Sequence, residues 1–180
     1  KKPKYALEGS VFVGGASVQW LRDSLKLIDN AAETSKICKS IPPLKDLYLV
    51  PAFNGLGAPY WDGNAKGSIQ GLTFNTGRNE LVKATIEALA YQVDDLITAM
   101  TEDSGNQIKS LKVDGGACAN DYLMQFQSDI LDAEVDRPQM LEVTALGAAL
   151  LAGIKAGVWL QSDIASLRKI DHIFKPEMGI

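Results

Sequence analysis

Two hydrophobic rhythms alternate along this chain. Val82, Ile86, Leu89, Val93, Leu96 and Met100 fall alternately four and three positions apart, the spacing of one helix face. Asn79 is the expected N-cap of that helix, which should run to about Thr101. Val18, Leu21, Leu25 and Ile28 repeat the spacing and predict a helix over 16–28, and a further helix is expected over 121–131. Short apolar runs predict strands at 5–12, 47–51, 67–72, 111–113 and 133–135. Residues 29–46, with Pro42 and Pro43, read as a connecting excursion, and 54–64 (NGLGAPYWDGN) as a loop. Thr144 is the expected cap of a last helix over 145–157. Its small residues Ala145, Ala149 and Gly153 suggest close packing on a sheet. Residues 162–180 read as a polar tail. Strands separated by helices imply an α/β fold, a sheet flanked by helices.

The same pattern singles out two turns. Val13-Gly14-Gly15-Ala16 and Asp114-Gly115-Gly116-Ala117 each join an expected strand to an expected helix. In open α/β sheets, ligands sit beyond the carboxyl ends of strands. Glycine lets a ligand reach the backbone, and the following helix offers unpaired N–H groups and a positive dipole end. A phosphate or nucleotide suits such a place, but a tight turn alone also calls for glycine. Neither turn is followed by the Gly-Lys-Ser/Thr of a Walker loop, and neither is a GxGxxG fingerprint. Gln19 and Asn120 follow the glycines, near the start of each helix. Their amides suit a purine edge or a ribose, or else a solvated face and an ordinary N-cap. Asp114 is expected to hold its turn through the backbone.

Composition narrows the classes. The 180 residues carry a net charge of −4, which disfavours nucleic acid or an anionic membrane as partner. No apolar run reaches the length of a membrane span, and the start shows no signal-peptide core. Cys38 and Cys118 match no metal spacing and read as free thiols of a reducing cytosol. His172 is the one histidine and is expected at the surface, which argues against a Cys–His or Ser–His hydrolase. No catalytic constellation and no metal site is read in this chain.

One further stretch carries a resemblance. GSIQGLTFNTGRNELVKATIE, residues 67–87, resembles the second signature of the FGGY carbohydrate kinases. Gly67, Ile69, Gly71, Leu72, Glu80, Leu81, Ala84 and Glu87 stand at its small, apolar, glycine and acidic positions. YALEGSVFVGGASVQWLRD, VPAFNGLGAPYWD, VDGGACANDYLMQFQSDIL and EVTALGAALLAG resemble the C-terminal half of the members that phosphorylate glycerol, in the same order. Xylulokinase-like members fit the MQFQSDIL segment less well.

The resemblance implies an actin-like, ribonuclease-H-type ATPase fold with a mixed sheet flanked by helices. It implies two lobes with ATP and Mg²⁺ in the cleft between them. Residues 1–180 would be part of the C-terminal, nucleotide-binding lobe, cut short at both ends. Gly15, Gln19, Gly115, Gly116 and Asn120 would contact the nucleotide. The lobe expected to hold the acceptor and the catalytic base is absent from this sequence, so the chain alone should be inactive. The resemblance further implies a cytoplasmic homo-oligomer, and the fragment is expected to self-associate through an exposed sheet edge at 5–12. Two alternatives stay open: a sugar kinase of xylulokinase or gluconokinase type, and a non-catalytic actin-like nucleotide-binding module.

Overall fold

The computed structural model describes residues 6–162, 164 and 168–178. The chain divides into two compact units, residues 1–108 and 109–180.

In the first unit, α1 (Ala16–Asp23) is shorter than its apolar stripe suggests. The helix closes at Ser24, and Lys26 turns the chain with a left-handed φ of 55°. Leu25 is therefore exposed, while Ile28 folds back into a buried cluster with Leu21, Ile37 and Val82. The excursion at 29–46 contains a helix, α2 (Glu33–Ser40). Glu33 Oε1 accepts the N–H groups of Asp29 and Asn30 ahead of it, and Thr34, Ile37 and Cys38 form its buried face.

Strands β1 (Tyr48–Val50) and β2 (Ser68–Gln70) pair antiparallel, with Leu49 opposite Ile69. The segment between them is a loop crossed by isolated bridges, as its glycine and proline content indicates. Gly71 ends β2 at φ +83°, and a Cβ there would lie 1.6 Å from the Asp46 carbonyl oxygen. Only glycine lets the chain pass at that distance.

The long helix α3 (Arg78–Ser104) begins at Gly77, two residues before the expected cap. Glu80 Oε2 accepts the Gly77 N–H at 2.9 Å, which fixes the earlier start. Gly105 ends the helix in the left-handed conformation, its N–H donating to the Thr101 carbonyl. Residues 82–90 of α3 are buried all round, not on one stripe. That stretch includes Lys83 and Glu87. The Lys83 ammonium donates to the carbonyls of Ile41 and Pro42 at 3.1 and 3.0 Å, so its charge is compensated where α2 ends.

The predicted strand at 5–12 is not formed. Tyr5 lies outside the described residues, and 6–12 have no ladder partner. A strand that pairs with nothing leaves its backbone groups to solvent, so β-propensity alone did not make one. The sheet edge expected to drive self-association is therefore not seen there.

The second unit holds a three-stranded mixed sheet in the order β3-β4-β5. β3 (Ser110–Lys112) runs parallel to β4 (Glu134–Pro138), and α4 (Asp121–Leu131) makes the crossover. β4 is longer than the expected 133–135 and continues through Arg137-Pro138. β5 (Ile170–Phe174) pairs antiparallel with β4 and lies in the segment read as a polar tail. Leu123, Met124, Val135 and Phe174 bury their side chains here, and Ser128 Oγ donates to the carbonyls of Ala133 and Phe174.

The helix α5 (Val143–Lys155) has Glu142, not Thr144, at its N-cap position, with no side-chain capping hydrogen bond. Its small residues do not make the expected close seam: Ala145, Ala148, Ala149 and Ala152 are exposed. The one tight approach is at Gly153, where a Cβ would fall 2.0 Å from the Trp159 ring.

Candidate functional site

The first glycine turn starts α1. Gly15 is its N-cap at φ −54° and ψ −22°, and Gly14 and Gly15 carbonyls accept the N–H groups of Ser17, Val18 and Gln19. That backbone is open to any residue, and a Cβ on Gly14 or Gly15 would meet nothing within 4 Å. Neither conformation nor internal packing requires glycine here. Gln19 is exposed in the first turn of the helix.

The second turn is built differently. Gly115 sits at φ 80° and ψ 172°, a region open in practice to glycine alone. Its N–H donates to the Leu141 carbonyl, and its carbonyl accepts the Cys118 N–H and thiol. Gly116 then opens a 3-10 turn, Gly116–Ala119. The leading N–H groups of such a turn have no partner within it. A Cβ on Gly116 would again meet nothing.

Asn120 is the N-cap of α4, and its Oδ1 accepts the Leu123 N–H at 3.0 Å. The capping alternative is thus correct for this residue. Asp114 is exposed, and on either side of it the Val113 N–H donates to the Asp136 carbonyl and the Gly115 N–H to the Leu141 carbonyl. Gly115, Gly116 and Asn120 fall together in the second unit, and Gly15 and Gln19 in the first.

Arg137, unforeseen in the sequence, anchors the second turn from β4. Its Nη1 donates to the Cys118 carbonyl at 3.1 Å and to Asp121 Oδ1 at 2.8 Å. Its Nε donates to Asp171 Oδ2 at 2.9 Å, and the guanidinium lies 5.0 Å from the Phe174 ring centroid. Burial pulls the Arg137 pKa down, but hydrogen bonds to Asp121 and Asp171 outweigh it and hold the group above its ordinary value.

Burial works against thiolate formation at both cysteines. Burial pushes Cys38 up to about 12, with Glu87 adding to it, and burial also raises Cys118. Both are free, as expected, and both are buried; His172 is exposed on β5, as expected. Among the described residues no group of three His, Cys, Asp or Glu could hold a metal ion. No helix among them is long and apolar enough to cross a membrane. What the two turns offer is backbone accessible at glycine, beside helix starts that favour an anion or a polar ring edge.

The C-terminal-domain profile of the FGGY family of carbohydrate kinases matches residues 1–156, and the chain belongs to that family. Its fold is accordingly that of an actin-like ATPase domain. Within the family, the chain is 54% identical over 178 residues to the glycerol kinase of Alkaliphilus oremlandii, covering 98% of this chain and 35% of the relative. It thus spans about a third of the length of the curated relatives it matches. The crystal structure of Plasmodium falciparum glycerol kinase with ADP is similar at a TM-score of 0.82 and 39% identity, over 92% of this chain and 33% of that one. Xylulose kinase of Lactobacillus acidophilus shares the fold at a TM-score of 0.74 and 23% identity, over 91% and 34%.

Proposed function

We propose that residues 1–180 are the nucleotide-binding, C-terminal part of a glycerol kinase, which transfers the γ-phosphate of ATP to glycerol to give sn-glycerol 3-phosphate. The observation that carries the nucleotide role is the glycines at 15 and 116, which nothing in the chain's own conformation or packing demands. A ligand resting on the backbone accounts for both. The acceptor rests on relatedness to glycerol kinases: 54% identity to that of Alkaliphilus oremlandii and 39% to that of Plasmodium falciparum.

In this reading Gly15, Gln19, Gly115, Gly116 and Asn120 line the nucleotide. Gly115 shapes the turn, Gly116 gives the close approach, and Gln19 and Asn120 donate from the helix starts. The leading N–H groups of the 3-10 turn face negative charge without reorganising. Mg²⁺, when bound with ATP, supplies charge neutralisation for phosphoryl transfer, its ligands coming from outside these residues. The acceptor site and the base belong to the N-terminal lobe of the full-length protein. That protein is taken to be a cytoplasmic homo-oligomer, and the 180-residue chain by itself should phosphorylate nothing.

The test is a substrate screen with the full-length protein, scoring ADP release with glycerol, xylulose and gluconate. Turnover with glycerol is expected. Turnover with a sugar alone would move the protein elsewhere in the family, and none at all would favour a non-catalytic module. Asn120→Asp tests the turn itself, because it keeps a capping oxygen and removes the amide donor. Stability should hold, and nucleotide binding should weaken by at least about 0.5–1.5 kcal/mol. Unchanged affinity would remove Asn120 from the site.

A further inference from the structure

Asp121 poses an electrostatic problem. It follows Asn120 directly and stands in the first turn of α4, where a carboxylate favours the helix but repels an anion bound at the same end. Its side chain is half exposed, so burial does not neutralise it. Arg137 pairs with it at 2.8 Å, and the Arg137 side chain is only 13% exposed. The same Nη1 also binds the Cys118 carbonyl, the last full turn of backbone before Asn120. The other side of the guanidinium is anchored to β5, through Asp171 and the Phe174 ring.

We propose that Arg137 is a positioning residue for the nucleotide turn: through one nitrogen it fixes the Cys118 carbonyl and cancels the Asp121 charge that would otherwise repel a polyphosphate. This rests on the reading of Gly116 and Asn120 as nucleotide contacts. The arrangement has two separable parts. The planar fork sets the geometry of the turn, and a lysine cannot reproduce it. The positive charge offsets Asp121, and any variant that removes Asp121 makes it unnecessary. Asp171 supports the guanidinium from the side away from the turn. Losing it loosens the anchor without exposing Asp121.

The experiment measures ADP and adenosine binding to the full-length protein by calorimetry, at low and at physiological salt. Arg137→Gln is expected to weaken ADP about tenfold and adenosine far less. Adding Asp121→Asn in the same chain should restore most of the lost ADP affinity. Asp171→Asn should stay within about twofold of the unsubstituted protein. In turnover, Arg137→Gln should raise KM for ATP with little change in kcat.

Equal losses for ADP and adenosine that Asp121→Asn does not relieve would overturn the inference, since they mark a structural role only. If Arg137→Gln does not unfold cooperatively, Arg137→Lys decides: ADP affinity equal to the unsubstituted protein, or an equal loss for adenosine, overturns it, and a several-fold ADP loss that adenosine does not share supports it. Failure of the unsubstituted protein to bind ADP would instead overturn the reading of the turns, and this inference with it.

Discussion

Gly116→Ala separates a ligand's demand for glycine from the backbone's own. A methyl group at this position meets no atom within 4 Å, and the residue lies in a 3-10 turn away from the left-handed region. Exchanging glycine for alanine at a compatible site restricts the unfolded chain, which stabilises by about 0.4–1 kcal/mol. The unliganded protein should therefore become slightly more stable. If a nucleotide rests on this backbone, the same methyl group intrudes on it, and affinity should drop at least about tenfold, or 1.4 kcal/mol.

The assay is denaturant unfolding of the full-length protein with and without ADP. At ADP a hundredfold above Kd, binding adds about 2.7 kcal/mol for the unsubstituted protein. For Gly116→Ala at the same ADP concentration, the increment should be about 1.4 kcal/mol or less. Gly115→Ala is the contrasting control. Its φ of 80° and ψ of 172° are closed to alanine, so it should cost about 1–3 kcal/mol with no ligand present. A Gly116→Ala protein that keeps the full ADP increment would refute the reasoning, because nothing then approaches that backbone.

Two further expectations concern the scaffold. Gly71→Ala should destabilise the first unit by at least about 3 kcal/mol, since its Cβ would lie 1.6 Å from the Asp46 carbonyl oxygen and its φ is +83°. Chemical denaturation with a near-normal midpoint would show that the β1–β2 end can shift aside. Cys38 gives an alkaline signature. Its thiol, raised from 9.0 to about 12 in the fold, is neutral in both states below pH 9 and ionises first in the unfolded chain. Its contribution is thus fully present below pH 9 and is lost as pH rises toward 12, at up to about 1.4 kcal/mol per pH unit. Cys38→Ser should flatten that part of the stability profile, and an unchanged slope would show that the thiol ionises alike in the folded and unfolded chain.

Legibility followed where each element's information lies. The helix α3 was plain in the sequence because its own stripe and Gly105 define it, although Glu80 moved its start. The helix α2 was missed behind Pro42 and Pro43, yet Thr34, Ile37 and Cys38 already had the spacing of a buried face. β5 had no such signal: its first four residues are exposed, and only pairing with β4 makes it a strand. Residues 6–12 are the converse, a strand-like sequence without a partner. At the site, the glycines and amides stood out by spacing. Arg137 did not, because its partners Cys118, Asp121 and Asp171 lie on three other elements and meet it only once the second unit is folded.

The stretch 67–87 that marks the family is architecture throughout. Gly71 passes against Asp46, Glu80 closes the head of α3, and Lys83 holds the carbonyls of Ile41 and Pro42. None of these residues is among those assigned to the nucleotide. A descendant could lose every catalytic group and keep this stretch intact, because the fold would still need it. Matching it therefore reports ancestry, and whether a given member still phosphorylates anything has to be read from other positions.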